Sequence, residues 1–236
     1  MKRFYLSVLF LCSFGSLFAG GPSFAFCDYS QGKVFIQENG EIVWEHKAPD
    51  SNDIWVLPNK NILFTAGKEV LEVSRKNDTI FHYTSESNIF ACQRLKNGNT
   101  FIGECDNGRL LEVSPDGSIV KDVSILPFGV KTGGHAFMRN ARCLDNGHYL
   151  VAHYGGKSVV EYDENGKAVW NIPVPGGAHS VIRLPSGNTL VAVTDKDNNP
   201  GVFEYDMAGN IVWSLTNKDL PGTLKFAGGM HYLSDG

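Results

Sequence analysis

The stretch RLPSGNTLVAV, Arg183–Val193, decides how this chain reads, because the chain repeats it. LPNKNILFTA begins at Leu57, LKNGNTFIGE at Leu95, LDNGHYLVAH at Leu144, and LSDG at Leu233. Each copy is a leucine, a short polar turn and an apolar run. Asn-Gly and Ser-Gly accept the positive φ that a tight hairpin demands, so VIRL and NTLVAV read as two antiparallel strands.

A second repeat follows each first one. EVSRKNDTIFHY, EVSPDGSIVKDV, EYDENGKAVWNI and EYDMAGNIVWSL align without gaps on Glu72, Glu112, Glu161 and Glu204. Downstream of each glutamate stands Asn77, Gly117, Gly166 or Gly209, residue types that enter the left-handed region at low cost. Then comes Phe81, Lys121, Trp170 or Trp213, and an earlier copy, FIQENGEIVWEH, sets Phe35, Gly40 and Trp44 in the same register. This half is another hairpin, rich in Tyr, Val and Ile. The leucines lie 38, 49, 40 and 49 residues apart. Four short strands per roughly 40 residues is the signature of a β-propeller blade. The expected fold is all-β: a propeller of four-stranded blades, about five of them, plus the start of a sixth at GGMHYLSDG (Gly228–Gly236). That last copy stops in mid-turn, which leads us to expect a C-terminally incomplete domain. The recurrent Trp or Phe reads as a wedge between blades.

Residues 1–19 read as a signal peptide. Lys2 and Arg3 precede an apolar run from Phe4 to Leu17, and SLFAGG supplies small residues for cleavage after Ala19. Residues 20–236 then form the propeller, with a periplasmic or extracellular location expected. The mature chain carries 19 basic and 25 acidic residues with no basic run, which excludes nucleic acid as an expected partner. No other stretch reads as a membrane span. The four mature cysteines, Cys27, Cys92, Cys105 and Cys143, contain no CxxC; disulfides are permitted, and four buried thiols are the simpler expectation.

Uniform A–B and C–D turns belong to one face of such a propeller. The variable loops, among them SILPFGVKTGGHA, PVPGGAHS and TNKDLPGTLKFAGGMH, belong to the other, where binding usually resides. Three of these loops set a Gly-Gly pair before a histidine: His135, His179 and His231. His153 opens on the same face, and Arg139 and Arg142 follow on an inner strand. These six residues are the ligand-binding candidates, since imidazoles and guanidiniums converging on a channel suit an anion, acid–base work or a metal. Ordinary channel-lining polar packing is the competing account. No metal or cofactor is expected. DKDNNPG, Asp195–Gly201, has oxygen ligands suited to calcium but lacks the closing glutamate of a calcium loop.

At the level of LPSGNTLVA…EYDMAGNIVW the chain resembles the PQQ-like propeller repeats and those of bacterial arylsulfotransferases, in which a histidine precedes an LPNGN turn. HSVIRLPSGNTL, from His179, carries that arrangement. The resemblance implies a propeller, with either a channel histidine for sulfuryl transfer or a quinone cofactor. YDENGKAVW departs from the quinoprotein docking motif by lacking its Ala and Thr. No nucleophile–base pair or paired carboxylates stand out. The expected function is therefore an exported, non-catalytic binding or scaffold propeller taking a small molecule, glycan or protein, with an arylsulfotransferase-like enzyme, and after it a quinoprotein, as the alternatives.

Overall fold

The computed structural model describes residues 23–127, 129–194 and 200–232. The signal-peptide reading therefore lies outside the described residues, as does most of the calcium candidate. Nineteen strands form five antiparallel sheets. The first sheet is β1 (Phe24–Asp28), β2 (Lys33–Glu38) and β3 (Glu41–Lys47); the second is β4 (Ile54–Val56), β5 (Ile62–Ala66), β6 (Glu69–Val73) and β7 (Thr79–Thr84). The third is β8 (Ile89–Arg94), β9 (Thr100–Glu104), β10 (Arg109–Val113) and β11 (Ile119–Ser124). The fourth is β12 (Asn140–Cys143), β13 (Tyr149–His153), β14 (Ser158–Tyr162) and β15 (Ala168–Pro173). The fifth is β16 (Gly177–Arg183), β17 (Thr189–Thr194), β18 (Gly201–Tyr205) and β19 (Ile211–Leu215). This is a five-bladed β-propeller.

The repeats fold as hairpins of one design. In the first half the leucine closes the loop: Leu184 N–H donates to Asn188 O and Gly187 N–H to Leu184 O, and Leu57, Leu95 and Leu144 repeat the pair. The residue before the Asn or His takes positive φ, as Gly187 does at 90°. The second half uses the same closure, from Ser74 to Asp78 and from Asp163 to Lys167. Its left-handed residue is Asn77, Gly117, Gly166 or Gly209, and each hairpin carries a bulge after its glutamate. That is a type I turn with a glycine bulge, chosen by the sequence for its twist.

Second strands such as β5, β9 and β13 are buried along their whole length, which is why they run apolar rather than alternating. Between blades the core is a repeated seam. Glu72 accepts from Asn61 Nδ2 at 2.6 Å and from Arg94 Nη2 of the next blade at 2.6 Å, and the Arg94 guanidinium lies 5.3 Å from the Phe81 ring centroid. Glu161, Arg183 and Trp170 repeat the arrangement, at 2.7 Å for the ion pair and 4.7 Å for the ring contact. Trp44 and Phe81 are wedges in the expected sense, 7% and 5% exposed. Trp213 is not: it is 47% exposed, because no following blade covers it among the described residues.

The expected sixth blade is overturned. Residues 216–232 hold no strand, and the fifth sheet is the last among the described residues. At Gly228–His231 the Gly-Gly-x-His pattern reaches the axial cavity and starts no strand among the described residues. In the first sheet Ile36 pairs with Trp44 as Glu72 pairs with Phe81, so β1 takes the second-strand place and the described residues put no strand innermost. Residues 228–231 wall a cavity there together with Ala25, Phe26 and Cys27.

Candidate functional site

A cavity of about 700 Å³ opens at the loop end of the axis and draws its walls from four blades and the segment after β19. Arg139, just before β12, stands at its centre. Its Nη1 donates to His135 Nε2 at 3.4 Å, and its Nη2 to His179 Nε2 at 3.3 Å and Asn52 Oδ1 at 3.3 Å. One face of the guanidinium is covered by Phe90, whose centroid lies 4.3 Å away. None of the three partners is an acid, and no carboxylate pairs with Arg139 among the described residues. Burial holds it below the usual guanidinium range, with little relief from Cys105, Tyr29 and Tyr154.

His179 is the second element. Burial, and then the Arg139 charge, push its pKa down to about 4, so the ring is neutral at neutral pH. Accepting from Arg139 at Nε2 puts the ring proton on Nδ1. Tyr154 lies edge-on to the ring at 6.3 Å and Phe226 at 4.9 Å. Gly177 is required here, since a Cβ would come 2.4 Å from the Tyr154 ring. Gly133 serves the same purpose in the His135 loop, where a Cβ would stand 2.3 Å from Phe137. His135 itself is exposed at the mouth, edge-on to Phe90.

The six candidates thus divide. His135, Arg139 and His179 converge. Arg142 lines the cavity but is bound to Asp53 by two bonds, of 2.6 and 3.0 Å, a cross-link between blades two and four. It also lies 5.0 Å from the Trp55 ring centroid, against whose edge His231 packs at 5.6 Å. Trp55, Arg142, Met230 and His231 also wall a second cavity of about 760 Å³ on the turn side, so they divide the axis into two chambers. His153 is buried away from the cavity. Its Nδ1 bonds to Phe137 O at 2.8 Å and its Nε2 to the Tyr162 hydroxyl at 2.9 Å, and burial lowers its pKa. That is a satisfied core imidazole. Cys27, Cys92, Cys105 and Cys143 are free thiols; burial raises all four, Cys27 to about 11.

Sequence reading missed Asn52, Trp55, Tyr154 and Phe226. Trp55 and Tyr154 adjoined features already singled out: the leucine anchor of blade two and His153. Asn52 and Phe226 sit in loops with no repeated pattern, and nothing in the sequence marks them. No group of three or more metal-binding side chains stands together among the described residues, and no helix there is long and apolar enough to cross a membrane.

No protein-family model and no curated protein matches the chain. Solved structures do. A protein of unknown function from Bacteroides caccae is 22% identical with a TM-score of 0.77, over 89% of this chain and 78% of that one. A catalytically inactive virginiamycin B lyase from Staphylococcus aureus, solved with quinupristin, is 12% identical with a TM-score of 0.57, over 85% and 74%. BBS1N in complex with ARL6DN is 17% identical with a TM-score of 0.57, over 84% and 62%. At these identities the likeness shows the fold, and the fold is that of a β-propeller.

Proposed function

We propose that this protein is an exported binding propeller whose axial cavity takes an anionic ligand on Arg139, flanked by His135 and His179. One observation carries the reading: a largely buried guanidinium is offered an amide and two imidazoles, at 3.3–3.4 Å, and no carboxylate among the described residues. A desolvated cation left in that state is poised for an anion, which would supply the charge-assisted bonds that the imidazoles cannot. The propeller neighbours support a binding role in general terms, since one was solved with quinupristin and another with ARL6DN. Export rests on the basic start and apolar run of residues 1–19, and N-terminal sequencing that found Met1 intact would remove it.

The test is thermal stability in low-salt buffer with increasing acetate or methanesulfonate. A ligand that binds only the folded state stabilises it by about 2.7 kcal/mol at a hundred times its Kd. The wild type should gain stability and Arg139→Gln should not; equal responses would sink the reading. The PQQ-like and arylsulfotransferase-like resemblance supports a second reading, an arylsulfotransferase-like enzyme. The favouring observation is that His179, in the HSVIRLPSGNTL context, is a neutral imidazole beside a cation. Release of a phenol from an aryl sulfate by the wild type, absent in His179→Gln, would move the assignment from binding to catalysis.

A further inference from the structure

We propose that the axial cavity selects a monovalent organic anion with a planar ring, its anionic group on Arg139 and its ring against the aromatic wall that Phe226 and Trp55 provide. The inference rests on the anion-binding reading above and gives that ligand a valence and a shape.

Valence follows from the charges that face the cavity. Among the described residues three charged side chains line it: Arg139, Arg142 and Asp53. Arg142 and Asp53 cancel in their two-bond pair, which leaves one positive charge. The other titratable groups facing it are Cys27, Tyr29, His135, His179 and His231. Burial raises Cys27 and Tyr29, so neither adds a negative charge at pH 8. His179 is neutral far below that pH. A carboxylate or sulfonate is therefore balanced as it enters, whereas a dianion would bring a second negative charge with nothing beside Arg139 to meet it.

Shape follows from the walls. About 700 Å³ is far more than a small inorganic anion fills, and it lies in the range of organic-ligand cavities. Phe90 already covers one face of Arg139, so a ligand meets the edge of the guanidinium that the imidazoles now hold. Beyond His179 stands Phe226, 55% exposed although its ring contacts the imidazole. Trp55 and His231, packed edge to face, also line the cavity. An exposed phenyl at the mouth of a cationic cavity gains burial when a second ring packs on it, and edge-to-face geometry adds to that gain.

Isothermal titration of the whole chain at pH 8 and low ionic strength tests this, with benzenesulfonate, methanesulfonate, phenyl phosphate and benzyl alcohol as probes. Phenyl phosphate is close to a dianion at that pH. Benzenesulfonate should bind at least about tenfold more tightly than either other anion, and benzyl alcohol should give no heat. Arg139→Gln should lose the binding and Arg139→Lys should recover part of it, which separates charge from folding. Phe226→Ala should weaken benzenesulfonate several-fold and leave methanesulfonate unchanged. Equal affinity for the two sulfonates, or tighter phenyl phosphate, would overturn the ring and valence assignments while leaving an anion site at Arg139. Failure of every anion to bind in an Arg139-dependent way would remove the binding reading itself.

Discussion

If His179 is held neutral by burial beside Arg139, the fold must lose stability in mild acid, and the loss can be sized. Its pKa is lowered from 6.5 to about 4. A group whose folded pKa lies below its unfolded value stabilises the neutral form of the fold. That contribution is complete above about pH 6.5 and is lost as pH falls toward 4. By linkage, a shift of that size removes about 2.5 kcal/mol between pH 7.5 and pH 4.5, an upper figure since the ring retains some solvent contact. Carboxylates titrate over the same range, and His153 shifts the same way, so the comparison must be with a variant. His179→Gln keeps an oxygen to accept from Arg139 Nη2 and cannot be protonated. Urea unfolding of both proteins at several pH values gives the difference. The variant should gain on the wild type by about 2 kcal/mol across the interval. A difference constant within about 0.5 kcal/mol would refute the neutral, buried imidazole and the tautomer assigned to it.

Four further outcomes are expected. Phe81→Ala should cost about 3–5 kcal/mol, because the ring is 5% exposed and sits between Ile89, Ile102 and Arg94, whereas Trp213→Ala should cost about 1 kcal/mol or less; equal costs in denaturant unfolding would mean that a partner covers the fifth blade in solution. Arg142→Ala should destabilise by about 3–5 kcal/mol, since Asp53 is left buried and unpaired, and a double variant with Asp53→Asn should recover part of the loss. Arg139→Met should leave the unliganded protein as stable or raise it by about 0.5–1 kcal/mol while abolishing anion-dependent stabilisation; a loss above 2 kcal/mol would show a structural arginine. Thiol titration of the native protein at pH 8 should be slow at all four cysteines, as burial raises each; rapid labelling of Cys27 would contradict its position.

The hairpins were legible because their chemistry is local. A leucine, three turn residues and an Asn or His specify a closure within five positions, and Asn77 in place of glycine still takes φ of 67°. The blade period was legible for the same reason. What a copy of the motif becomes was not, since GGAHS is paired to β17 while GGMHY is held beside Trp55 without a strand. Trp170 and Trp213 stand at the same place in the aligned motif and differ in whether a further blade covers them among the described residues. The site divides along the same line. Each Gly-Gly pair leads to a histidine that lines the axial cavity, but nothing local told Arg139 from Arg142. Their difference lies in Asp53, a residue more than 80 positions away in sequence.

Those two arginines also bear on why the site is there at all. Both are partly buried near the axis, and each would cost stability if left without bonds. The fold solves the problem for Arg142 with a carboxylate that also accepts from Cys92 N–H at 3.0 Å, so the pair is fixed from two sides. For Arg139 it offers Asn52, His135 and His179, each at the long end of hydrogen bonding. A structural arginine on an inner strand would be expected to find an acid, as Arg94 on β8 and Arg183 on β16 do. None of these acceptors is an acid, so the guanidinium is held in place without its charge being cancelled. His179 does so while resisting protonation itself, so it adds no charge of its own to the cavity in the neutral pH range. An arrangement that fixes a cation and declines to neutralise it costs the free protein stability, and a departure from fully satisfied polar pairing is most often found where a ligand completes it.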